Sequence, residues 1–177
     1  MTNNEPPTYR SVMIHASAVE YRGKALVFLG PSETGKSTIS QLLAATLDGA
    51  RVLADDVIDL DWEVGNGWGV GDARPRLLQE STGIQSTSTA LHVCLGAIFR
   101  LYQAPYPRLM PLRALETGLY LMKAFAEVGR RQAESLEEKR ACFVSLVDVA
   151  RVVSGYELYC DRSLQTVNII QQVTTSV

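Results

Sequence analysis

The sequence predicts a single α/β domain, and three observations support this prediction. The chain has 177 residues, 46% of them hydrophobic and 20% charged, which suffices for one core and excludes two large domains. Short apolar stretches with strand character alternate with longer stretches whose apolar residues recur at spacings of three and four. A Gly-rich segment, residues 30–35, lies between one such strand and one such helix. We expect residues 1–9 to be a flexible lead and residues 10–177 to form one domain.

The first half of the chain predicts a β-hairpin, a helix and two more strands. The predicted strands are residues 11–20, 24–29, 51–54 and 58–62, and the predicted helix is residues 36–47. Tyr21-Arg22-Gly23 joins the first two strands as a tight turn, so these strands are expected to pair as a hairpin.

The second half predicts a long loop, then strands and helices. Residues 65–89 are rich in Gly, Ser and Thr and are expected to be a mobile functional loop, with Trp68 as a candidate ligand contact. Residues 93–102 and 156–160 are predicted strands, and residues 164–172 a final helix. Two amphipathic helices are predicted between them, ended near Gly129 and Gly155. Their expected core stripes are Leu112, Leu115, Leu119, Met122 and Ala126, and Phe143, Val147, Ala150 and Val153.

Charge and composition argue against several classes of partner. There are 17 Lys and Arg against 19 Asp and Glu, a net charge of −2 without a basic run, so nucleic acid is not expected as a partner. No apolar run approaches the ~18–20 residues of a membrane span, and the chain begins with no signal sequence, so we expect no membrane contact and a cytoplasmic location. The 3 Cys and 2 His are too few for a disulfide framework or a zinc site.

A phosphate-binding motif stands between the second strand and the first helix. Every fixed position of G-x-x-x-x-G-K-[ST] is matched by Gly30, Pro31, Ser32, Glu33, Thr34, Gly35, Lys36 and Ser37. Such a loop turns successive backbone N–H groups toward a phosphate, and the helix that follows adds the partial positive charge of its N-terminus. We expect Lys36 to reach the β- and γ-phosphates, and the Ser37 hydroxyl to bind Mg²⁺. The sequence therefore predicts nucleotide binding.

Two adjacent carboxylates follow the short strand after this helix. Asp55 and Asp56 come 18 to 19 residues after Ser37, a separation that suits a neighbouring strand ending beside the loop. One carboxylate is expected to hold the metal ion and the other to accept a proton, and the spacing leaves open which does which.

Taken together, these residues resemble the catalytic domain of HPr kinase/phosphorylase, and especially the smaller HPr-kinase-like proteins of peptide-modifying systems. The resemblance rests on IHASAV at residues 14–19, YRG at 21–23, GPSETGKST at 30–38 and LADD at 53–56. It implies a mixed-sheet P-loop domain of the type shared with phosphoenolpyruvate carboxykinase, instead of an all-parallel doubly wound sheet. It also implies that Thr38 belongs to the nucleotide site, and that the protein assembles as a homo-oligomer, by resemblance a hexamer.

The resemblance further implies roles for individual residues. His15 is the active-site histidine, Asp56 accepts the proton of a serine hydroxyl, and Asp55 supports the metal ion or the histidine. The sequence differs from the family pattern in three respects. We expect no N-terminal regulatory domain, Ala16 follows His15 where HPr kinases carry Gly, and the Leu-Glu-x-Arg-Gly-Leu-Gly signature is not found, its nearest counterpart being LHVCLG at residues 91–96. HPr is therefore expected to be a poor substrate, and an extended peptide or chain terminus the preferred acceptor.

The leading functional hypothesis is an ATP- and Mg²⁺-dependent kinase that phosphorylates a serine-type hydroxyl on a small protein or peptide. A small-molecule kinase and a nucleotide-binding sensor without phosphotransfer are the alternatives, and no residue distinguishes ATP from GTP. Arg74 and Arg76, in the predicted loop, are equally compatible with binding an acidic substrate and with exposure to solvent.

Overall fold

Nine strands and four helices make up the part of the chain that the computed structural model describes, residues 11–63, 67–72, 93–128 and 135–176. The strands are β1 (Ser11–His15), β2 (Ser17–Tyr21), β3 (Lys24–Leu29), β4 (Arg51–Ala54), β5 (Val57–Glu63), β6 (Gly67–Asp72), β7 (Val93–Gln103), β8 (Arg108–Leu112) and β9 (Ser154–Cys160). The helices are α1 (Lys36–Thr46), α2 (Ala114–Val128), α3 (Leu136–Val152) and α4 (Leu164–Ser176). No helix in these ranges is both long enough and apolar enough to cross a membrane.

The strands form one mixed sheet, which confirms the α/β class. Its order is β1-β5-β6-β7-β3-β2-β4, with β9 beside β7 and β8 beside β9. β7 is parallel to both β3 and β9, and the other pairs are antiparallel. Because carboxyl ends of parallel strands lie at the same edge of a sheet, the segments that follow β3, β7 and β9 are brought together there.

The segment β1–β2 pairs with the segment β4–β5 to form a two-stranded ribbon, and a bend at the middle of this ribbon curls the sheet. β1 and β2 are separated only by Ala16, and β4 and β5 only by Asp55-Asp56. β1 pairs with β5, with His15 opposite Val57, whereas β2 pairs with β4. At the bend the Ala16 N–H donates to the Asp56 carbonyl over 3.1 Å. The predicted first strand is thus two strands, and the break between them at Ala16 lies opposite the break between β4 and β5.

The predicted hairpin is present as β2 and β3, and the sheet buries both its faces. Arg22 and Gly23 in the turn both have positive φ, 53° and 74°, as two-residue hairpin turns require. On one face Val27 packs in a core with residues of α2 and α3, such as Leu121 and Leu146. On the other, Leu26 and Phe28 pack in a second core with α1 and α4. This alternation follows from the two-residue period of a strand.

The two amphipathic helices exist where predicted, but their buried faces were predicted wrongly in part. In α2, Leu115 and Leu119 are 75% and 50% exposed, while Leu121 and Ala124 enter the core. In α3, Phe143 is 45% exposed and the core side chains are Cys142, Ser145, Leu146, Val149 and Ala150. Both helices carry apolar residues on more than one face, so spacing alone cannot select the face that packs on the sheet.

Part of the predicted long loop is a strand. β6 pairs with β5 and β7, and Trp68 is 6% exposed in the core, which corrects its prediction as a ligand contact. Arg74, Arg76 and the rest of residues 73–92 lie outside the described residues. Residues 108–112 form β8 against β9, so Leu112, which was predicted to belong to the core stripe of an amphipathic helix, lies in a strand instead.

Candidate functional site

The Gly-rich segment curls tightly between β3 and α1. The Thr34 hydroxyl donates to the Pro31 carbonyl over 2.7 Å, and a Cβ atom on Gly30 would overlap that hydroxyl oxygen. Glu33 and Gly35 have φ of 68° and 97°. The loop therefore needs no side chain at Gly30 and a left-handed backbone at Gly35, two conditions that glycine meets without strain.

Helix α1 begins at this loop with its first turn open toward a cleft. Gly35 is the N-cap residue, and no side chain caps the helix. The N–H groups of the first turn are thus not bonded to a capping side chain, and Ser37 and Thr38 line the cleft. A helix N-terminus in this state carries a partial positive charge suited to binding anions.

The amine of Lys36 lies inside the curl of the loop. The residue is 7% exposed, and Nζ donates to the Gly30 carbonyl over 2.7 Å and to the Pro31 carbonyl over 3.1 Å. Burial lowers the pKa of Lys36 from 10.5; the carboxylates of Glu127, Asp56 and Asp55 oppose that shift, and the positive charge of Arg100 adds to it. An anion bound here would favour the charged amine and raise the pKa again.

His15 connects this lysine to a carboxylate. Its Nε2 is 2.8 Å from Lys36 Nζ, and its Nδ1 is 3.3 Å from Asp56 Oδ1. A charged ammonium group only donates, so Nε2 accepts and the proton of a neutral ring lies on Nδ1, toward Asp56. Glu127 Oε2 is also 3.6 Å from Nε2. The His15 side chain is 14% exposed and that of Asp56 is 73% exposed, so this chain of contacts leads from the buried loop to solvent.

Ser37 and Asp55 form a second contact at the mouth of the loop. The Ser37 hydroxyl donates to Asp55 Oδ1 over 2.8 Å. Among the described residues no three His, Cys, Asp or Glu side chains are grouped to hold a metal ion by themselves. Mg²⁺ usually takes one or two protein oxygen ligands and completes its shell with phosphate oxygens and water, and a hydroxyl beside a carboxylate fits that pattern.

A cleft of about 730 Å³ runs from these residues along α1. This is within the range of small-molecule sites. Its lining includes His15, Asp55, Asp56 and residues 32–38. It also includes residues of α1 and of the segments that follow β7 and β9, namely Ile39, Leu42, Gln103, Ala104, Pro105, Cys160, Asp161 and Arg162. Gln103 Nε2 also donates to the Glu33 carbonyl over 3.1 Å, which joins the end of β7 to the loop.

The structure brings most of the predicted site residues together. His15, Lys36, Asp55, Asp56 and residues 32–38 all line the cleft, and Gly30 and Pro31 contribute the carbonyls that bind Lys36. The sequence interpretation missed Glu127, which lies on the helix expected only to fill the core. It also missed the ends of β7 and β9, whose position follows from a parallel pairing that the sequence does not display.

No protein-family model matches this chain, and no curated protein is significantly similar to it.

Proposed function

We propose that this protein is an ATP- and Mg²⁺-dependent kinase that transfers the γ-phosphoryl group to a serine-type hydroxyl of a protein or peptide. The proposal includes a P-loop domain of the HPr kinase and phosphoenolpyruvate carboxykinase type, a cytoplasmic location and assembly as a homo-oligomer. The observation that carries it is the meeting of His15, Lys36 and Asp56 in a cleft that the loop also lines.

The loop and Lys36 account for binding of the triphosphate. The open N–H groups at the start of α1 and the Lys36 ammonium group supply positive charge at one place, where negative charge accumulates on the transferred group. The Lys36 hydrogen bonds to the Gly30 and Pro31 carbonyls would be exchanged for bonds to phosphate oxygens. The cleft, of about 730 Å³ and also lined by Leu42 and Pro105, has room for the rest of the nucleotide.

Ser37 and Asp55 would hold the metal ion. When bound, Mg²⁺ neutralises charge on the β- and γ-phosphates. Their contact in the protein keeps the hydroxyl and the carboxylate oriented toward each other.

Asp56 is the proposed general base. The acceptor hydroxyl gives its proton to the Asp56 carboxylate while its oxygen forms a bond to the γ-phosphorus, and the bond from phosphorus to the β,γ-bridging oxygen breaks. The Nδ1–H of His15 points toward Asp56 Oδ1 over 3.3 Å and orients that carboxylate. Its exposure of 73% leaves it accessible to a hydroxyl that arrives from solvent.

Binding and transfer are tested separately. Mg²⁺-ATP at 100 times its dissociation constant is expected to add about 2.7 kcal/mol to the free energy of unfolding. Lys36→Ala is expected to lose most of that increase, while Lys24→Ala, an exposed lysine on β3, retains it. An unchanged increase in Lys36→Ala would contradict the loop assignment.

Transfer is measured with γ-labelled ATP and serine-containing peptides, with mass spectrometry to locate the phosphate. Asp56→Asn is expected to lower turnover by about 10²–10⁴-fold with nearly unchanged nucleotide affinity. Nucleotide binding without transfer to any peptide would favour the sensor, and transfer only to small alcohols would favour a small-molecule kinase.

A further inference from the structure

A group of aromatic and charged side chains lies beside the candidate site, on the sheet face that α2 covers. We call it the tyrosine cluster, and it consists of Arg100, Tyr102, Tyr120, Lys123, Glu157 and Tyr159. Arg100 and Tyr102 come from β7, Tyr120 and Lys123 from α2, and the other two from β9. The rings of Tyr102 and Tyr159 stack with their centroids 5.0 Å apart, so the cluster is built from packed side chains.

Arg100 is the member of the cluster next to the phosphate-binding loop. It pairs with Leu29, the residue before Gly30. Its guanidinium carbon is 5.3 Å from the centroid of the Tyr102 ring and 5.2 Å from that of Tyr120. Its Nε atom is shielded from solvent and has no hydrogen-bond partner. Burial is the largest cause of the lowered pKa of Lys36, and the positive charge of Arg100 lowers it further, so the two cations are electrostatically coupled.

Glu157 is opposite Arg100 in the strand register but does not neutralise it. The Glu157 carboxylate accepts hydrogen bonds from the hydroxyls of Tyr120, Tyr159 and Tyr102, over 3.0, 3.1 and 3.3 Å. Within the part of the chain that the structure describes, no carboxylate is within ion-pair distance of Arg100. A half-buried guanidinium without a counter-ion is unfavourable in the free protein, and the binding of an anion relieves that cost.

The position of the tyrosine cluster indicates that this anion belongs to the acceptor and not to the nucleotide. No member of the cluster lines the cleft that extends along α1. Lys123 lies 5.5 Å from the Tyr120 ring centroid, and one turn farther along α2 Glu127 reaches His15. The cluster therefore adjoins the His15 side of Lys36, where the acceptor hydroxyl must arrive if the nucleotide occupies the cleft.

We propose that Arg100 and Lys123 bind a carboxylate of the acceptor, and that the substrate is a peptide with an acidic residue beside the phosphorylated hydroxyl. This inference rests on the proposed kinase function. The fork of N–H groups on Arg100 matches a carboxylate, and Lys123, which lies against the same Tyr120 ring, adds a second positive charge.

The test is a positional-scanning library of peptides with a central serine and blocked ends, incubated with γ-labelled ATP and Mg²⁺. Asp and Glu are expected to be selected next to the serine. Arg100→Gln should lower kcat/KM for a selected acidic peptide by about 10- to 100-fold, and for its Asn counterpart by little. Arg100→Lys should restore only part of the selectivity, because a lysine lacks the fork. Arg22→Gln is the matched control, since it removes another arginine stacked on a tyrosine.

Three outcomes would overturn the inference about the acidic residue, and each is distinguishable from a failure of the kinase proposal. Phosphorylation of peptides without selection for Asp or Glu refutes the inference. A loss of ATP affinity in Arg100→Gln with unchanged peptide selection also refutes it, since the γ-phosphate would then be the ligand of Arg100. If no peptide is phosphorylated, the kinase proposal fails, and fluorescence anisotropy with a labelled acidic peptide and its Asn and Gln counterpart decides the carboxylate site. Binding that needs the acidic residue and Arg100 supports it, and equal binding of both peptides refutes it.

Discussion

Two substitutions of Asp56 test the backbone conformation at this residue separately from the role of its carboxylate. Asp56 has a φ of 82° and is not a glycine, and it lies in the interruption between β4 and β5. Its side chain is 73% exposed and contacts His15 over 3.3 Å. We therefore compare Asp56→Gly with Asp56→Ala, since both remove the carboxylate and only the first removes the restriction on φ.

The expected magnitude follows from opposing effects on the folded and unfolded chains. An alanine in the left-handed region costs about 1–2 kcal/mol, whereas glycine adopts this conformation freely but loses about 0.5–1 kcal/mol more conformational entropy on folding. Asp56→Gly should thus be more stable than Asp56→Ala by about 1 kcal/mol, or about 2–4 °C in melting temperature for a domain of this size. Loss of the exposed contact to His15 is common to both variants and cancels.

Urea denaturation and thermal unfolding measure the stability difference, and transfer of labelled phosphate measures function. Both variants are expected to lack the proposed transfer activity while they retain nucleotide-induced stabilisation. Equal stability of the two variants would show that the backbone at Asp56 does not have this conformation, and the placement of the carboxylate would fail with it. Full turnover in Asp56→Gly would remove Asp56 as the base.

Two further predictions concern the loop lysine and the helix packing. Nucleotide affinity should fall as the pH rises through the pKa of Lys36, which is lowered from 10.5, because the amine then loses its charge. Glu127→Gln removes the carboxylate that most strongly opposes this pKa shift, so the loss of affinity should occur at a lower pH than in the unmodified protein. Calorimetric titrations at a series of pH values measure this change, and an unchanged pH profile would contradict the coupling between Glu127 and Lys36. A Cβ atom on Gly155 would overlap the Thr117 hydroxyl, so Gly155→Ala should reduce the free energy of unfolding by about 1–3 kcal/mol. Adding Thr117→Ala should recover part of that loss in urea denaturation, whereas additive losses would contradict the close approach of α2 to β9.

The local elements of the fold were largely predictable, and the way the chain folds back on itself was not. The hairpin turn at Arg22-Gly23, the loop and helix α1 each have a short-range signal in residue type and spacing. The interruption of the first strand at Ala16 has none, because an alanine within an apolar run is compatible with a continuous strand. β6 was missed because its glycines and polar neighbours resemble a loop, and pairing with β5 and β7 is what holds it extended.

The candidate site divides in the same way. The residues of the loop were predictable because a motif requires fixed types at fixed spacing, and Asp55 and Asp56 because they end a strand. Glu127 and Arg100 belong to elements whose other residues fill the core, so their place at the site depends on the sheet order and on the face of α2 that packs. Trp68 shows the reverse error, since a Gly-rich context indicated exposure and the strand buries the ring.

The bend in the β1–β2 and β4–β5 ribbon explains why His15 and Asp56 meet. His15 is the last residue of β1, Ala16 is fully buried at the bend, and the Ala16 N–H bonds the Asp56 carbonyl. Backbone pairing therefore brings the two side chains within reach of each other. Since β2 leads through the turn into β3 and the loop, the same ribbon also sets His15 against Lys36. The proposed base, its orienting histidine and the phosphate-binding lysine thus depend on one continuous stretch of chain, residues 11–36, and on the segment that pairs with its first two strands, residues 51–63.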